Sequence, residues 1–197
     1  AVPGYTNAAN AEQRRAAIDA PDLVGREADV EAVTALLSAN AIVSIIGTGG
    51  IGKTSLARAV LASPALREQG QGDVHWIEAA PLRDGAQLVS VIAKTMAIDL
   101  GGSSCADQDL VSALADTHAL VVLDNCEHLL REVAGLVHRA SESAPGIRWL
   151  ATSQAPLRVS GEVVYRLDPL DVPPHGTPLA AAMQRSAVDL LCRRATA

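Results

Sequence analysis

The chain has 197 residues, with 16 Lys plus Arg against 22 Asp plus Glu and a formal charge of -6. That is room for one full α/β domain and part of a second. Hydrophobic residues make up 49% but aromatics only 2%, with no Phe, which excludes an aromatic stacking platform for single-stranded nucleic acid. The acidic balance offers no basic field for a phosphodiester backbone, so no direct nucleic-acid contact is expected of this segment. Cys105, Cys126 and Cys192 are odd in number and lack C-x-x-C spacing, which argues against a disulfide frame or zinc knuckle and reads as three small buried side chains. No charged leader precedes an apolar stretch, and runs such as Ala119 to Leu123 are too short to span a bilayer. A cytoplasmic location without membrane contact is expected.

In chain order, residues 1–21 read as a lead-in or linker, with a short exposed helix over Ala11 to Ile18. Glu27 to Ser38 follows, with Val30, Val33, Leu36 and Leu37 forming the stripe of an amphipathic helix. Ile42-Val43-Ser44-Ile45-Ile46 is β-branched without alternation, as in a strand buried on both faces. The pattern then predicts a helix over Thr54 to Leu61, a strand near Val74 to Ile77, helices over Gly85 to Met96 and Gln108 to Ala115, and a strand over His118 to Leu123 ending at Asp124. Leu129 to Ser141 reads as helix, and Ile147 to Ala151 and Val163 to Leu167 as strands. Strands separated by helical segments imply right-handed crossovers and a parallel sheet covered by helices on both faces. Pro169, Pro173, Pro174 and Pro178 mark a linker. The predicted division is one α/β domain over 22–170 and, over 171–197, a linker with the first helix of a helical unit that this chain does not complete.

Gly47-Thr48-Gly49-Gly50-Ile51-Gly52-Lys53-Thr54 fits G-x-x-x-x-G-K-[ST], and it lies between a buried strand and a helix, where that motif belongs. Glycines let successive backbone N–H groups point inward without Cβ clashes, making an anion nest at the positive end of the next helix. Lys53 adds a mobile charge for β- and γ-phosphates, and the Thr54 hydroxyl can ligate Mg²⁺. The apolar strand ending at Asp124 delivers a carboxylate where ligands gather in open α/β sheets. Two readings of that residue stand: it holds Mg²⁺ through water, or Asp124 or Asn125 N-caps the next helix. Glu127 is either the base that orients the attacking water or a solvated acid in a first helical turn. The five histidines show no ligand spacing, and Cys126 lacks a paired histidine and reads as a core thiol rather than a nucleophile.

Through these motifs the chain resembles the nucleotide-binding domain of the signal-transduction ATPases with numerous domains. The likeness is to an NB-ARC-like form from the bacterial transcriptional-regulator branch. It is carried by Leu23-Val24-Gly25-Arg26-Glu27, by Gly47 to Thr54, by Val121 to Leu130 around Asp124-Asn125-Cys126-Glu127-His128, and by Ala151-Thr152-Ser153-Gln154 with Pro156-Leu157. The resemblance implies a P-loop fold with five parallel strands, in which the strand of Asp124 is not adjacent to the strand before the glycines. It implies ATP or ADP with Mg²⁺, held by Val24, Gly25 and Arg26 near adenine, by Gly47 to Ser55 around the phosphates, and by Ser153 and Gln154. Lys53, Asp124 and Glu127 are its catalytic set, with Thr54 and Asp124 at the metal. It further implies a slowly hydrolysing switch, closed by ADP against other domains of the same parent protein and opened by ATP for self-assembly. A scaffold that signals by occupancy alone, or a P-loop phosphotransferase, would use the same nest. Two departures stand out: Gln154 replaces the arginine that relatives place after Thr-Ser to sense the γ-phosphate, and the downstream Gly-Leu-Pro-Leu segment is missing. An amide can donate a hydrogen bond but cannot offset charge, so turnover is expected to be modest.

Overall fold

Apolar runs too short for core helices pair into one five-stranded sheet in the computed structural model, which describes residues 23–68, 72–101, 105–183 and 185–196. The helix expected over Ala11 to Ile18 lies outside the described residues. The elements run α1 (Glu27–Ala39), β1 (Ile42–Ile46), α2 (Lys53–Ala62), α3 (Pro64–Glu68), β2 (Asp73–Glu78), α4 (Gly85–Thr95) and α5 (Ala106–Leu114). They continue with β3 (Ala119–Asp124), α6 (Leu130–Ser143), β4 (Ile147–Ser153), β5 (Glu162–Arg166), α7 (Leu179–Ala182) and α8 (Ser186–Thr196).

Strand order is β2-β3-β4-β1-β5 and every pairing is parallel. β4 therefore separates β1 from β3, as the resemblance implied. Parallel neighbours need crossovers, and the helices that supply them cover both faces. Alternation sorts the side chains. Ala119, Val121 and Leu123 of β3 with Ile147, Trp149 and Ala151 of β4 pack with Leu88, Ile92, Leu110 and Leu136 from α4, α5 and α6. Leu120, Val122 and Leu150 turn the other way, joining Val43 and Ile45 against Val33, Leu37, Leu56 and Val60 from α1 and α2. All of β1 and β3 is buried, which is why neither shows polar alternation in sequence.

Local chemistry sets several ends. Asp84 caps α4 by accepting from Gln87 N at 2.9 Å, and the Gln87 side chain reaches back to Arg83 N at 2.9 Å; an N-terminal cap of this kind contributes about 1 kcal/mol. Arg148 Nη1 donates to Leu37 O at 2.7 Å, closing a carbonyl that the end of α1 leaves open.

Three expectations are corrected. Only Cys126 is a core thiol; Cys105 and Cys192 are exposed, because the loop before α5 and the outer side of α8 lie off the sheet. The tail is not a single helix but two, broken between Ala182 and Ser186. β4 runs two residues further than its apolar stretch, because Thr152 and Ser153 are polar yet buried, at 1% and 0% exposure, and pair with Ile45 and Ile46. The short helix α3 had no apolar period to announce it.

Candidate functional site

Parallel strands end on one edge, and three of those ends meet: β1 runs into the glycine loop, β3 delivers Asp124, and β4 lies between them. The loop turns through Gly50 at φ +75° and Gly52 at φ +106°, a backbone that L side chains rarely adopt. A Cβ added at Gly49, Gly50 or Gly52 would meet no atom within 4 Å, so Gly50 and Gly52 are needed for backbone freedom and the space above all three is open. Gly47 is different, since its Cβ would lie 3.1 Å from Leu167 O. Gly52 is the N-cap of α2, with no side-chain cap and no acid in the first turn. The first N–H groups of the helix, at Lys53, Thr54 and Ser55, thus lack a side-chain acceptor at its positive end.

Lys53 is 8% exposed, and its Nζ donates to Gly47 O at 2.9 Å and Thr48 O at 3.0 Å. The ammonium is folded onto its own loop. Thr54 Oγ1 donates to Asp124 Oδ1 at 2.8 Å, and Thr152 Oγ1 donates to the same oxygen at 2.5 Å. Asp124, 5% exposed, closes β3 well before α6 begins at Leu130, whose N-cap is Leu129. The capping alternative is therefore excluded for Asp124 and Asn125. Glu127 likewise lies in the turn ahead of α6 and not in its first helical turn, where Glu132 stands.

Around Glu127 the donors are neutral. Gln154 Nε2 donates to Glu127 Oε1 at 3.1 Å, and the Asn125 amide, oriented with its nitrogen toward the carboxylate, lies 2.8 Å from both oxygens. Asn125 sits at φ +59°, which Asn tolerates better than most residues. Ser153 donates its hydroxyl to Ala155 O and accepts from Gly47 N through its carbonyl at 3.3 Å, and Ser55 is half-buried on α2. Cys126, between the two acids, has its thiol pushed up to about 12, chiefly by burial; it remains protonated at neutral pH and is no nucleophile.

The segment before α1 is tied in separately. Val24 is buried. Gly25, at φ +65°, lies under α8: a Cβ there would fall 2.4 Å from Ser186 Cβ. Arg26, 7% exposed, pairs with Asp29 at 3.1 Å and reaches Ile51 O at 3.5 Å, while the Tyr165 hydroxyl donates to Asp29 at 2.5 Å. Burial first and the Asp29 contact second push the Tyr165 hydroxyl up to about 12. Arg26 thus links the tip of the loop to β5. Arg158, at φ +60°, is held through its backbone N–H by Glu162 Oε2 at 2.7 Å.

The sequence reading missed Asp29 and Tyr165, and it placed Thr152 within the Ala151-Thr152-Ser153-Gln154 motif without assigning it a partner. A groove of about 750 Å³ between α1, α2 and α3, lined by Leu23, Val30, Ala35, Ala59 and Pro64 among others, includes none of the glycine-loop residues.

Solved structures share the fold. The Aeropyrum pernix ORC1 protein in complex with DNA aligns with a TM-score of 0.63 at 19% identity, over 91% of this chain and 51% of that one. Cdc6p from Pyrobaculum aerophilum aligns with a TM-score of 0.60 at 16% identity, over 77% and 47%. A signal transduction ATPase with numerous domains from Pyrococcus horikoshii, with a tetratricopeptide repeat sensor, aligns at 0.54 and 16% identity, over 78% and 24%. In sequence, a Mycobacterium tuberculosis protein provisionally named an HTH-type transcriptional regulator is 33% identical over 139 residues, 70% of this chain. An uncharacterized protein of the same species is 32% identical over 150 residues, 76% of this chain. The chain spans only 15% and 37% of the length of these two relatives. The family model described as Novel STAND NTPase 1 (nSTAND1) matches residues 16–192, and the chain belongs to that family of P-loop NTPase domains.

Proposed function

We propose that this domain is an Mg²⁺-dependent ATP-binding switch with slow hydrolysis, working as the nucleotide-binding part of a larger cytoplasmic regulator, with 22–170 as the nucleotide-binding domain and 171–197 opening a helical neighbour. The observation that carries the reading is the 2.8 Å contact of Thr54 Oγ1 with Asp124 Oδ1, residues 70 apart in sequence. It joins a hydroxyl beside an open anion nest to a strand-end carboxylate. One carboxylate and one hydroxyl are hard oxygen donors, a set that suits Mg²⁺.

In this mechanism the uncapped N–H groups of α2 and the loop amides donate to phosphate oxygens, and Lys53 leaves the Gly47 and Thr48 carbonyls to join them. Thr54 and Asp124 would hold Mg²⁺, which would supply positive charge to offset that of the polyphosphate. Glu127 orients the attacking water and accepts its proton. The Asn125 and Gln154 amides hold that carboxylate in place but add no charge to offset the transition state, so turnover is slow. Val24, Gly25 and Arg26 border adenine. ADP favours closure against the helical tail and ATP favours opening and self-assembly, each through its different affinity for the two states.

A second reading, a scaffold that binds ATP or ADP and performs no chemistry, draws on the same two amides, which engage the Glu127 carboxylate that hydrolysis would use as base. Single-turnover assays with γ-labelled ATP separate the two. Phosphate release that disappears in Lys53→Ala supports the enzyme, whereas tight retention without release supports the scaffold. Absence of any nucleotide binding refutes both.

A further inference from the structure

The turn from Asp124 to Cys126 is held to β4 by one residue. Thr152 Oγ1 donates to Asp124 Oδ1 at 2.5 Å and accepts from Asn125 N at 2.9 Å. Its carbonyl accepts from Cys126 N at 3.1 Å and from Cys126 Sγ at 3.4 Å. At 1% exposure, the hydroxyl has a donor on one side and an acceptor on the other, which fixes the direction of its proton toward the carboxylate. The same bonds pin Asn125 in its left-handed backbone, and that backbone aims the chain so that Glu127 meets Gln154, two residues beyond Thr152. A buried polar group of this kind is costly unless satisfied on both sides.

We infer that Thr152 is the positioning residue of the site: its hydroxyl orients the metal-side carboxylate of Asp124 and sets the turn that presents Glu127, without touching nucleotide or metal. The inference rests on the Mg²⁺-nucleotide reading above and deepens it. With Thr54 and Asp124 as the residues that would hold Mg²⁺, the Thr152 hydroxyl remains a donor to Asp124 Oδ1 that does not depend on Thr54, and so would keep that carboxylate oriented.

The test uses the full chain with Thr152→Val, which matches the shape and loses the hydroxyl, and Thr152→Ser, which keeps it. Mg²⁺ is titrated at fixed fluorescent ATP analogue, and single-turnover rates are read at saturating Mg²⁺. Thr152→Val is expected to raise half-saturating Mg²⁺ about tenfold or more and to slow the turnover step, while analogue binding without Mg²⁺ is unchanged; Thr152→Ser restores both. A second measurement needs no nucleotide: the drop in thermal midpoint caused by Thr152→Val should shrink in an Asp124→Asn background, as coupled partners require. Should Thr152→Val not fold, Thr152→Cys, similar in volume to Ser and a weaker donor, is expected to reproduce the Mg²⁺ effect. A Val or Cys variant with wild-type Mg²⁺ response, or a Ser variant as impaired as Val, overturns the role of Thr152 alone. A wild-type chain whose nucleotide binding ignores Mg²⁺ overturns the underlying reading, and this inference with it.

Discussion

The glycine loop after β1 and the turn after β3 stand side by side at the same sheet edge, yet they are held in opposite ways. The loop bonds mainly to itself: Lys53 folds back on two carbonyls, Ile51 N reaches Thr48 O at 3.4 Å, and three of its glycines face open space, while its outward ties are long ones, Gly47 N to Ser153 O at 3.3 Å and Arg26 to Ile51 O at 3.5 Å. The turn is tied outward, with Asp124, Asn125 and Cys126 all bonded to Thr152 and Glu127 bonded to Gln154. The contrast teaches a division of labour. Under the proposed function, the part that would wrap a ligand of several charges keeps its donors loosely engaged, and the part that would present carboxylates at fixed positions is anchored to a buried strand. Preorganisation of this kind costs nothing at the moment of reaction.

The sharpest way to break the comparison is at the loop's one charge. Lys53→Ala is expected to lower single-turnover phosphate release by about 10²–10³-fold, the usual loss on removing a transition-state donor. Circular dichroism should stay native, because the Lys53 head group bonds only its own loop. A loss of under threefold would mean the ammonium never reaches the phosphates.

Backbone freedom comes next. Gly52→Ala adds a Cβ that touches nothing, so its whole effect is the strain of a non-glycine residue at φ +106°, about 1–3 kcal/mol of stability. Denaturant melts check the magnitude. A neutral result would show that the loop relaxes freely and is not held as described. Gly25→Ala, by contrast, meets Ser186 at 2.0 Å from Oγ. It is expected to raise hydrogen exchange in α8 more than elsewhere, with partial recovery on adding Ser186→Gly. Equal exchange in all helices would remove the contact from the account.

Much of this contrast was legible in sequence, and what was not has a physical reason. The loop announces itself because its chemistry is local: spacing of Gly, Lys and Thr within eight positions encodes both the nest and the charge. The β3 carboxylate was visible as the end of an apolar run. Thr152 was visible as part of the Ala151-Thr152-Ser153-Gln154 motif, but its bond to Asp124 was not, since that partner lies 28 residues away. Asp29 and Tyr165 escaped for the same reason, being 136 residues apart. The break between α7 and α8 and the short α3 carry no periodic signal, because elements of four or five residues complete barely one turn.

Two smaller effects sharpen the picture from outside the site. Asp84→Ala removes the α4 cap and should cost about 1 kcal/mol without changing nucleotide affinity; a change in affinity would tie α4 to the site. In thiol labelling at neutral pH, Cys105 and Cys192 should react on the folded chain. Cys126, buried and with its thiol raised to about 12, should react only on unfolding or far into the alkaline range. Rapid labelling of Cys126 would indicate that the turn after β3 opens readily, against the rigid role assigned to it.

The central claim, that the loop and the turn together receive a magnesium polyphosphate, is tested most directly by calorimetric titration of ATP into the chain with and without Mg²⁺, repeated with Asp124→Asn. Binding that Mg²⁺ strengthens is expected in the native chain, with that gain lost in Asp124→Asn while the metal-free affinity is retained. Heats that do not depend on Mg²⁺, or an Mg²⁺ gain that survives in Asp124→Asn, would contradict it.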